Sequence, residues 1–245
     1  MSYQGKRFLG VVPARCSSRR IVDKNIRPIA GQPLMTWTLQ AAQQARYLDA
    51  LMVSTDCDKI AQVARQAGIE VPFLRPAELA TDEATTAAVL THALAAWSDY
   101  SGETYDYVVV LQPTSPLRTA EEIDAAIVKA VERDAQAIIS VSPTAQPPLW
   151  MNTLPDDDSM NGFLTPAGMR RSQDLPTYWC LNGAIGVICA QAVRAGQSVW
   201  SLSRIYAYRM SREHGVDIDD PLDFLLAEAL LQKRLACAAS EDTSG

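Results

Sequence analysis

Short apolar, β-branched runs alternate with amphipathic stretches along the first half of this chain. The runs at residues 8–12, 50–54, 71–74, 107–111 and 137–141 are four or five residues long and have no helical spacing. They predict buried strands. Between them, residues 33–45, 58–67, 86–97 and 120–133 place apolar side chains at helical intervals. Strict alternation of this kind predicts an α/β fold, a mostly parallel sheet with helices on both faces. Local signals support the boundaries. Thr119 followed by Glu122 reads as a capping box, and Gly68 as the residue that closes a helix.

Residues 143–178 break the rhythm. They hold Pro143, Pro147, Pro148, Pro155, Pro166 and Pro176, with the acidic run Asp156-Asp157-Asp158. A structureless stretch of this length is uncommon inside a domain unless it has a task. Trp150, Met151, Phe163 and Leu164 need cover, so residues 143–180 are expected as an arm, lid or dimerisation insertion. The domain is expected to span residues 1–235, with 236–245 as a disordered tail of small and polar residues.

Composition narrows the class. The 245 residues carry 22 Lys and Arg against 28 Asp and Glu, a formal charge of −6. No apolar run reaches the roughly 18 residues of a membrane span, and no signal-peptide pattern opens the chain. Cys16, Cys57, Cys180, Cys189 and Cys237 are scattered, with no C-x-x-C pair. Reduced thiols in a cytoplasmic protein are therefore expected, not a disulfide frame or zinc site. Net charge and the lack of aromatics among the basic residues argue against a nucleic-acid surface, and the missing span against a membrane partner.

Against that balance, Arg15, Arg19, Arg20, Lys24 and Arg27 crowd into one loop after the first run. A cationic loop at the carboxyl end of a strand is a natural seat for a phosphorylated ligand. The loop has neither G-x-x-x-x-G-K-[ST] nor G-x-G-x-x-G, so it is neither a P-loop nor a dinucleotide fingerprint. Near the other end, Val216-Asp217-Ile218-Asp219 alternates apolar and acidic residues. On a strand this would point both carboxylates one way and suit Mg²⁺, which prefers oxygen ligands. Asp220 before Pro221 reads as a helix cap. Gln112-Pro113-Thr114-Ser115-Pro116 forms a rigid polar turn after the fourth run. His92 reads as structural, and His214 receives no role.

These segments together resemble the acylneuraminate cytidylyltransferases, the CMP-sialic acid synthetases. The loop from Pro13 to Ile26 is similar to their I-P-A-R-G-G-S-K-R-I-P-G-K-N-I signature. Ser54-Thr55-Asp56, the stretch from Leu74 to Ala80, the stretch from Leu111 to Arg118, and Asp217-Ile218-Asp219 with Pro221-Leu222-Asp223 follow in family order. The resemblance implies a Rossmann-like fold of the nucleotide-diphospho-sugar transferase type with a protruding arm. It implies a homodimer in which the arm reaches the neighbouring subunit, and transfer of CMP from CTP to a sialic-acid-like 2-keto-3-deoxy sugar acid. It assigns Arg15, Ser18, Arg19 and Lys24 to the phosphates and Asn25 to the loop or nucleotide. Arg75 and Thr85 would hold cytosine, and Asp217 and Asp219 would bind Mg²⁺. Arg15, Lys24, Asp217 and Asp219 would carry catalysis. Gln112, Ser115, Arg171, Gln173 and Asn182 would meet the acceptor.

The chain departs from the pattern at several positions. Arg19 replaces a lysine, Cys16 and Ser17 replace two glycines, and Val22-Asp23 replaces Pro-Gly. In the acceptor region Ser172 stands where the family has an arginine and Gly186 where it commonly has tyrosine. Cys180 takes a position that is basic in some members. Arg170 or Arg171 would compensate for Ser172 if the arm shifts register. Two alternatives follow: a cytidylyltransferase for another small acid or phosphonate, and a nucleotide-binding regulator that has lost catalysis.

Overall fold

The computed structural model describes residues 2–18 and 20–242. Among the described residues, eight strands and six α-helices form in the order expected of an α/β protein. They are β1 (Phe8–Pro13), β2 (Pro28–Ile29), β3 (Gln32–Pro33), α1 (Leu34–Gln44), β4 (Ala50–Ser54), α2 (Asp58–Gln66) and α3 (Thr86–Ser101). After these come β5 (Tyr107–Val110), α4 (Ala120–Glu132), β6 (Ala137–Pro143), β7 (Trp179–Cys189), α5 (Ala190–Arg194), β8 (Ile205–Arg209) and α6 (Pro221–Asp242).

Six strands make the central sheet in the order β4-β1-β5-β7-β6-β8, and β2 pairs with β3 alone. β1 runs parallel to both β4 and β5, and β6 to β8. The long β7 runs antiparallel between β5 and β6, so the sheet is mostly parallel. Both faces are covered. One apolar cluster joins β1 residues Phe8 and Val12 to α1, α2 and α4. A second joins Leu9 and Val11 to α3 and Val193 of α5. Alternate residues of β1 thus serve opposite faces, as strand geometry requires.

A third, smaller cluster sets the site. Ile21 from the basic loop, Ile29, Leu34, Leu117, Ile218, Phe224, Ala227 and Leu231 pack together. Ile21 and Ile218 are both buried. Each such side chain contributes roughly 1.5–3 kcal/mol by leaving water. The basic loop and the acidic segment are therefore held to one another through their apolar members.

Both local signals hold: Thr119 and Glu122 form the capping box of α4, and Gly68 follows α2 with φ of 79°. Three expectations change. Residues 71–74 are not a strand, because Pro72 and Pro76 remove donors that a ladder needs; the Arg75 amide instead makes a single bond to the Thr55 carbonyl. Residues 216–219 lie outside the sheet, without regular structure, tied by the Ile218 amide to the Thr114 carbonyl at 2.8 Å. Residues 236–242, expected within a tail, continue α6. Ala236, Ala238 and Ala239 are strong helix formers and extend it. Residues 243–245 of that expected tail lie outside the described residues.

Residues 144–178 lie outside the sheet and make local contacts of their own. They hold short 3-10 turns at Pro148–Trp150, Pro166–Met169 and Ser172–Asp174. The Trp150 indole donates to the Gly168 carbonyl at 2.9 Å and Asn152 to the Phe163 carbonyl at 3.2 Å. Among the described residues, no helix is long and apolar enough to cross a membrane.

Candidate active site

The basic loop leaves β1 and folds over the end of the sheet. The Arg15 carbonyl accepts from the Asn25 side chain at 3.0 Å, which closes the loop on itself. The Cys16 amide donates to Asp56 Oδ1 at 3.0 Å. Asp23 turns the chain into the short helix Lys24–Ile26 with φ of 51°. That left-handed conformation favours glycine, and aspartate is among the few other residues that tolerate it. The departure from Pro-Gly at residues 22 and 23 thus preserves the turn.

The loop walls a cavity of about 420 Å³ at the carboxyl end of β1, lined by Arg15, Ser18, Arg20, Lys24, Asn25, Gln112 and Asp219 among others. Arg15 is held by Asp82 at 2.7 Å. Lys24 Nζ donates to the Ile218 carbonyl at 2.6 Å and stands 3.8 Å from Asp219. Arg20 lies 3.5 Å from the same carboxylate. Arg19, assigned to the phosphates, lies outside the described residues. Arg27 stays out of the cavity, its guanidinium 5.2 Å from the Phe224 ring centre.

Asp219 lines the cavity; Asp217 lies deeper. Burial holds the Asp217 carboxyl above its ordinary range and Asp219 pushes it further up, while the Thr114 side chain and Lys24 pull it down. Its Oδ1 is buried with no hydrogen-bond partner. An orphaned carboxylate oxygen suits a divalent cation. No cluster of three or more His, Cys, Asp or Glu that could hold a metal occurs among the described residues. A pair fits Mg²⁺, which draws remaining ligands from water and phosphate oxygens. Asp220 caps α6 as expected, its Oδ1 accepting from Leu222 and Asp223, and Asp223 returns bonds to the amides of 219 and 220.

The turn after β5 depends on a residue given no role in the sequence. Arg118 is 1% exposed. It donates to the carbonyls of Ala184 and Gln112 and to the Thr38 hydroxyl. Burial lowers its pKa to about 9, which still leaves it charged at neutral pH. Gln112 is thereby fixed, and its side chain lies over Gly183. A Cβ there would come within 2.9 Å of Gln112 Oε1, and Gly183 has φ of 67°. The positive φ favours glycine, and a Cβ would also force the flexible end of Gln112 to move.

Several expected ligands prove structural. Ser115 is fully buried, and its hydroxyl bonds the Asn182 carbonyl at 3.3 Å. Asn182, 3% exposed, spends its side chain on Ser140, Ser142 and the Ala184 amide. Buried polar groups need such partners, so neither is available to an acceptor. Thr85 is the N-cap of α3 and accepts from the Ala88 amide, and it lines a different cavity. Arg75 is buried 3.7 Å from Asp56, with burial lowering its pKa, and it lines neither cavity. Arg171 and Gln173 sit exposed between β6 and β7, with Arg171 paired to Asp174 at 2.9 Å. His92 meets Phe73 edge-on, and His214 bonds Glu122 at 3.0 Å.

Comparison with known proteins shows the family and the fold. A family model described as Cytidylyltransferase matches residues 9–241. CMP-N,N'-diacetyllegionaminic acid synthase of Legionella pneumophila is 34% identical over 92% of this chain and 97% of its own. The N-acylneuraminate cytidylyltransferase of Escherichia coli O18:K1:H7 is 30% identical over 93% of this chain, which spans 53% of that relative. In fold, the chain is similar to CMP:2-keto-3-deoxy-manno-octonic acid synthetase complexed with CTP. The TM-score is 0.69 at 16% identity, covering 93% of this chain and 99% of the other. A family match over residues 9–241 and relatives 30–34% identical over most of the chain show that it belongs to the cytidylyltransferase family of nucleotidyltransferases, alongside the acylneuraminate enzymes.

Proposed function

We propose that the chain transfers CMP from CTP to the hydroxyl of a nonulosonic acid, a sialic-, legionaminic- or pseudaminic-like 2-keto-3-deoxy sugar acid, and releases pyrophosphate. The observation that carries this is the cavity where Arg15, Arg20 and Lys24 converge with Asp219 and Gln112. The cations and Ser18 hold the triphosphate, as loop donors do for phosphates elsewhere. Mg²⁺ held by Asp217 and Asp219 would neutralise charge on the transferring phosphate. Gln112 borders both this cavity and its neighbour, and it orients the acceptor hydroxyl toward the α-phosphorus. Positioning and charge neutralisation carry most of the rate in such transfers.

Arg171 and Gln173 line neither cavity of their own chain, so an acceptor contact from them requires the arm of a second copy. That favours a homodimer. Five free cysteines are in keeping with a reducing compartment such as the cytoplasm. A pyrophosphate-release screen tests the reading, with each of the four nucleoside triphosphates against a panel of sugar acids. CTP with a nonulosonic acid is the expected productive pair. Release only with a smaller acid or a phosphonate replaces the acceptor, and binding without release indicates a regulator.

A further inference from the structure

β1 and β4 run in parallel register, with Pro13 facing Ser54 as their last pair. Cys16 and Cys57 each stand three residues beyond that pair. The two segments stay together after leaving the sheet. The Ala14 amide donates to the Ser54 carbonyl at 3.0 Å, and the Cys16 amide to Asp56 Oδ1 at 3.0 Å. Neighbouring strands lie about 4.8 Å apart, within the Cα separation that a disulfide spans. The two thiols also sense each other, since the Cys57 side chain is the leading reason that the Cys16 thiol is pushed up to about 11.

The settings of the two cysteines differ. Cys57 is buried at the start of α2, its amide bonded to the Thr55 hydroxyl at 3.1 Å and its carbonyl accepting from the Ala61 amide at 2.9 Å. Cys16 is exposed on the basic loop, between Arg15 and Ser17 of the phosphate cavity. One thiol is anchored to the frame and the other rides on the loop. Arg15 beside it donates to Asp82 at 2.7 Å and to the Thr81 carbonyl at 3.3 Å. A triphosphate has to draw that guanidinium off its partners, so freedom of the loop at residue 16 matters to the ligand.

We propose that Cys16 and Cys57 are a modification site, a dithiol that closes reversibly to a disulfide, tethers the basic loop to the start of α2 and thereby weakens CTP binding. The effect on CTP rests on the reaction proposed above; the disulfide does not. The oxidant is a low-molecular-weight disulfide such as glutathione disulfide. The exposed Cys16 thiolate attacks one of its sulfurs, the old S–S bond breaks, and glutathione leaves and takes up the thiol proton. The Cys57 thiolate then attacks the Cys16 sulfur of the mixed disulfide, and a second glutathione leaves. Two protein thiols are oxidised and one small disulfide is reduced to two thiols, so electrons and protons balance. Thiolate is scarce at neutral pH when the pKa is about 11, so exchange is slow and the poise of the thiol pool sets the state. Disulfides in reducing compartments are usually transient devices of this kind.

The test equilibrates the full chain in glutathione buffers of rising disulfide-to-thiol ratio, quenches with acid, and maps the cysteines by mass spectrometry. CTP affinity is read by calorimetric titration of the reduced and the oxidised chain. The expected product is a cross-link between Cys16 and Cys57, undone by dithiothreitol, with CTP bound at least about tenfold more weakly, the worth of one charged phosphate contact. Cys57→Ser keeps a good cap for α2. In reducing buffer it should bind CTP as the native chain does, and in oxidising buffer it should carry glutathione on Cys16 with no internal cross-link. A native chain that stays reduced at every ratio, that keeps glutathione on Cys16, or that joins other cysteines overturns the modification site. A cross-link between Cys16 and Cys57 with CTP affinity unchanged overturns the tether. The same cross-link in a chain whose reduced form binds no CTP overturns the proposed reaction and keeps the disulfide.

Discussion

The Lys24 ammonium stands 3.8 Å from the Asp219 carboxylate while donating at 2.6 Å to the carbonyl of Ile218. One cation thus bridges the basic loop and the acidic segment, and the apolar cluster of Ile21 and Ile218 holds both in register beneath it. Without a triphosphate, the two signs of charge partly neutralise each other. A nucleotide with its metal would draw them apart, the lysine to phosphate and the carboxylate to the cation.

Asp219→Ala separates these roles. The carboxylate is 66% exposed, so its ion pairs contribute at most about 1 kcal/mol to folding. Lys24 keeps its bond to Ile218. The melting temperature is expected to stay near the native value while turnover falls at least about a hundredfold at saturating Mg²⁺ and CTP. A folded variant that retains native rates would remove Asp219 from the metal site.

Arg118→Lys tests whether the Gln112 turn depends on a guanidinium fork. An ammonium cannot serve the carbonyls of Ala184 and Gln112 and the Thr38 hydroxyl together. The expected loss is about 2–4 kcal/mol in urea unfolding, because buried polar groups lose charged partners. The KM for the acceptor should rise as Gln112 loosens. A change below about 0.5 kcal/mol, the scatter of ordinary surface substitutions, would show that Lys suffices.

Asp23→Gly should improve the enzyme on two measures. Relief of the left-handed backbone at φ of 51° outweighs the added freedom of the unfolded glycine, for a net gain of about 0.5–1 kcal/mol. Removing an acid beside the phosphate cavity should tighten CTP about two- to fivefold at low salt, an effect that fades as salt screens it. Calorimetric titration of CTP at two ionic strengths distinguishes the charge effect from a change in loop shape. Salt-independent tightening would favour loop shape.

What was legible in the sequence was local. β1, α1, β4, α2, α3, β5, α4 and β6 follow from periodicity and caps, and the basic loop follows from charge density after a strand. What was missed depends on contacts between distant segments. The pairing of Ile21 with Ile218 leaves no local mark. Arg118 lies in a quoted motif, yet its burial is decided by β7 and α1 packing around it. Ser115 and Asn182 carry polar groups of the kind that bind sugars, and only the fold shows that the Ser115 hydroxyl goes to the Asn182 backbone carbonyl and the Asn182 amide to Ser140 and Ser142. The run at 71–74 has the apolar content of a strand, yet it holds Pro72, a residue that cannot donate to a ladder.

Cys16, in place of a loop glycine, supplies a pH-dependent probe of the loop. The neighbouring Cys57 thiol, then burial, pushes its thiol from 9.0 to about 11. Only the thiolate alkylates readily, so its reaction with iodoacetamide should keep accelerating up to about pH 11 instead of levelling near 9. The linkage has a definite sign. A folded pKa above the unfolded one stabilises the fold below the unfolded value, and that contribution is lost as pH rises through the folded one. The window is therefore pH 9 to 11. Cys57→Ala removes the leading cause of the shift, so the Cys16 alkylation profile should move to lower pH and part of the alkaline loss of stability should disappear. Mass spectrometry that locates the label on Cys16 at each pH provides the measurement. An unchanged Cys16 profile in folded Cys57→Ala protein would show that the two thiols do not interact, and that the loop lies farther from the start of α2 than described.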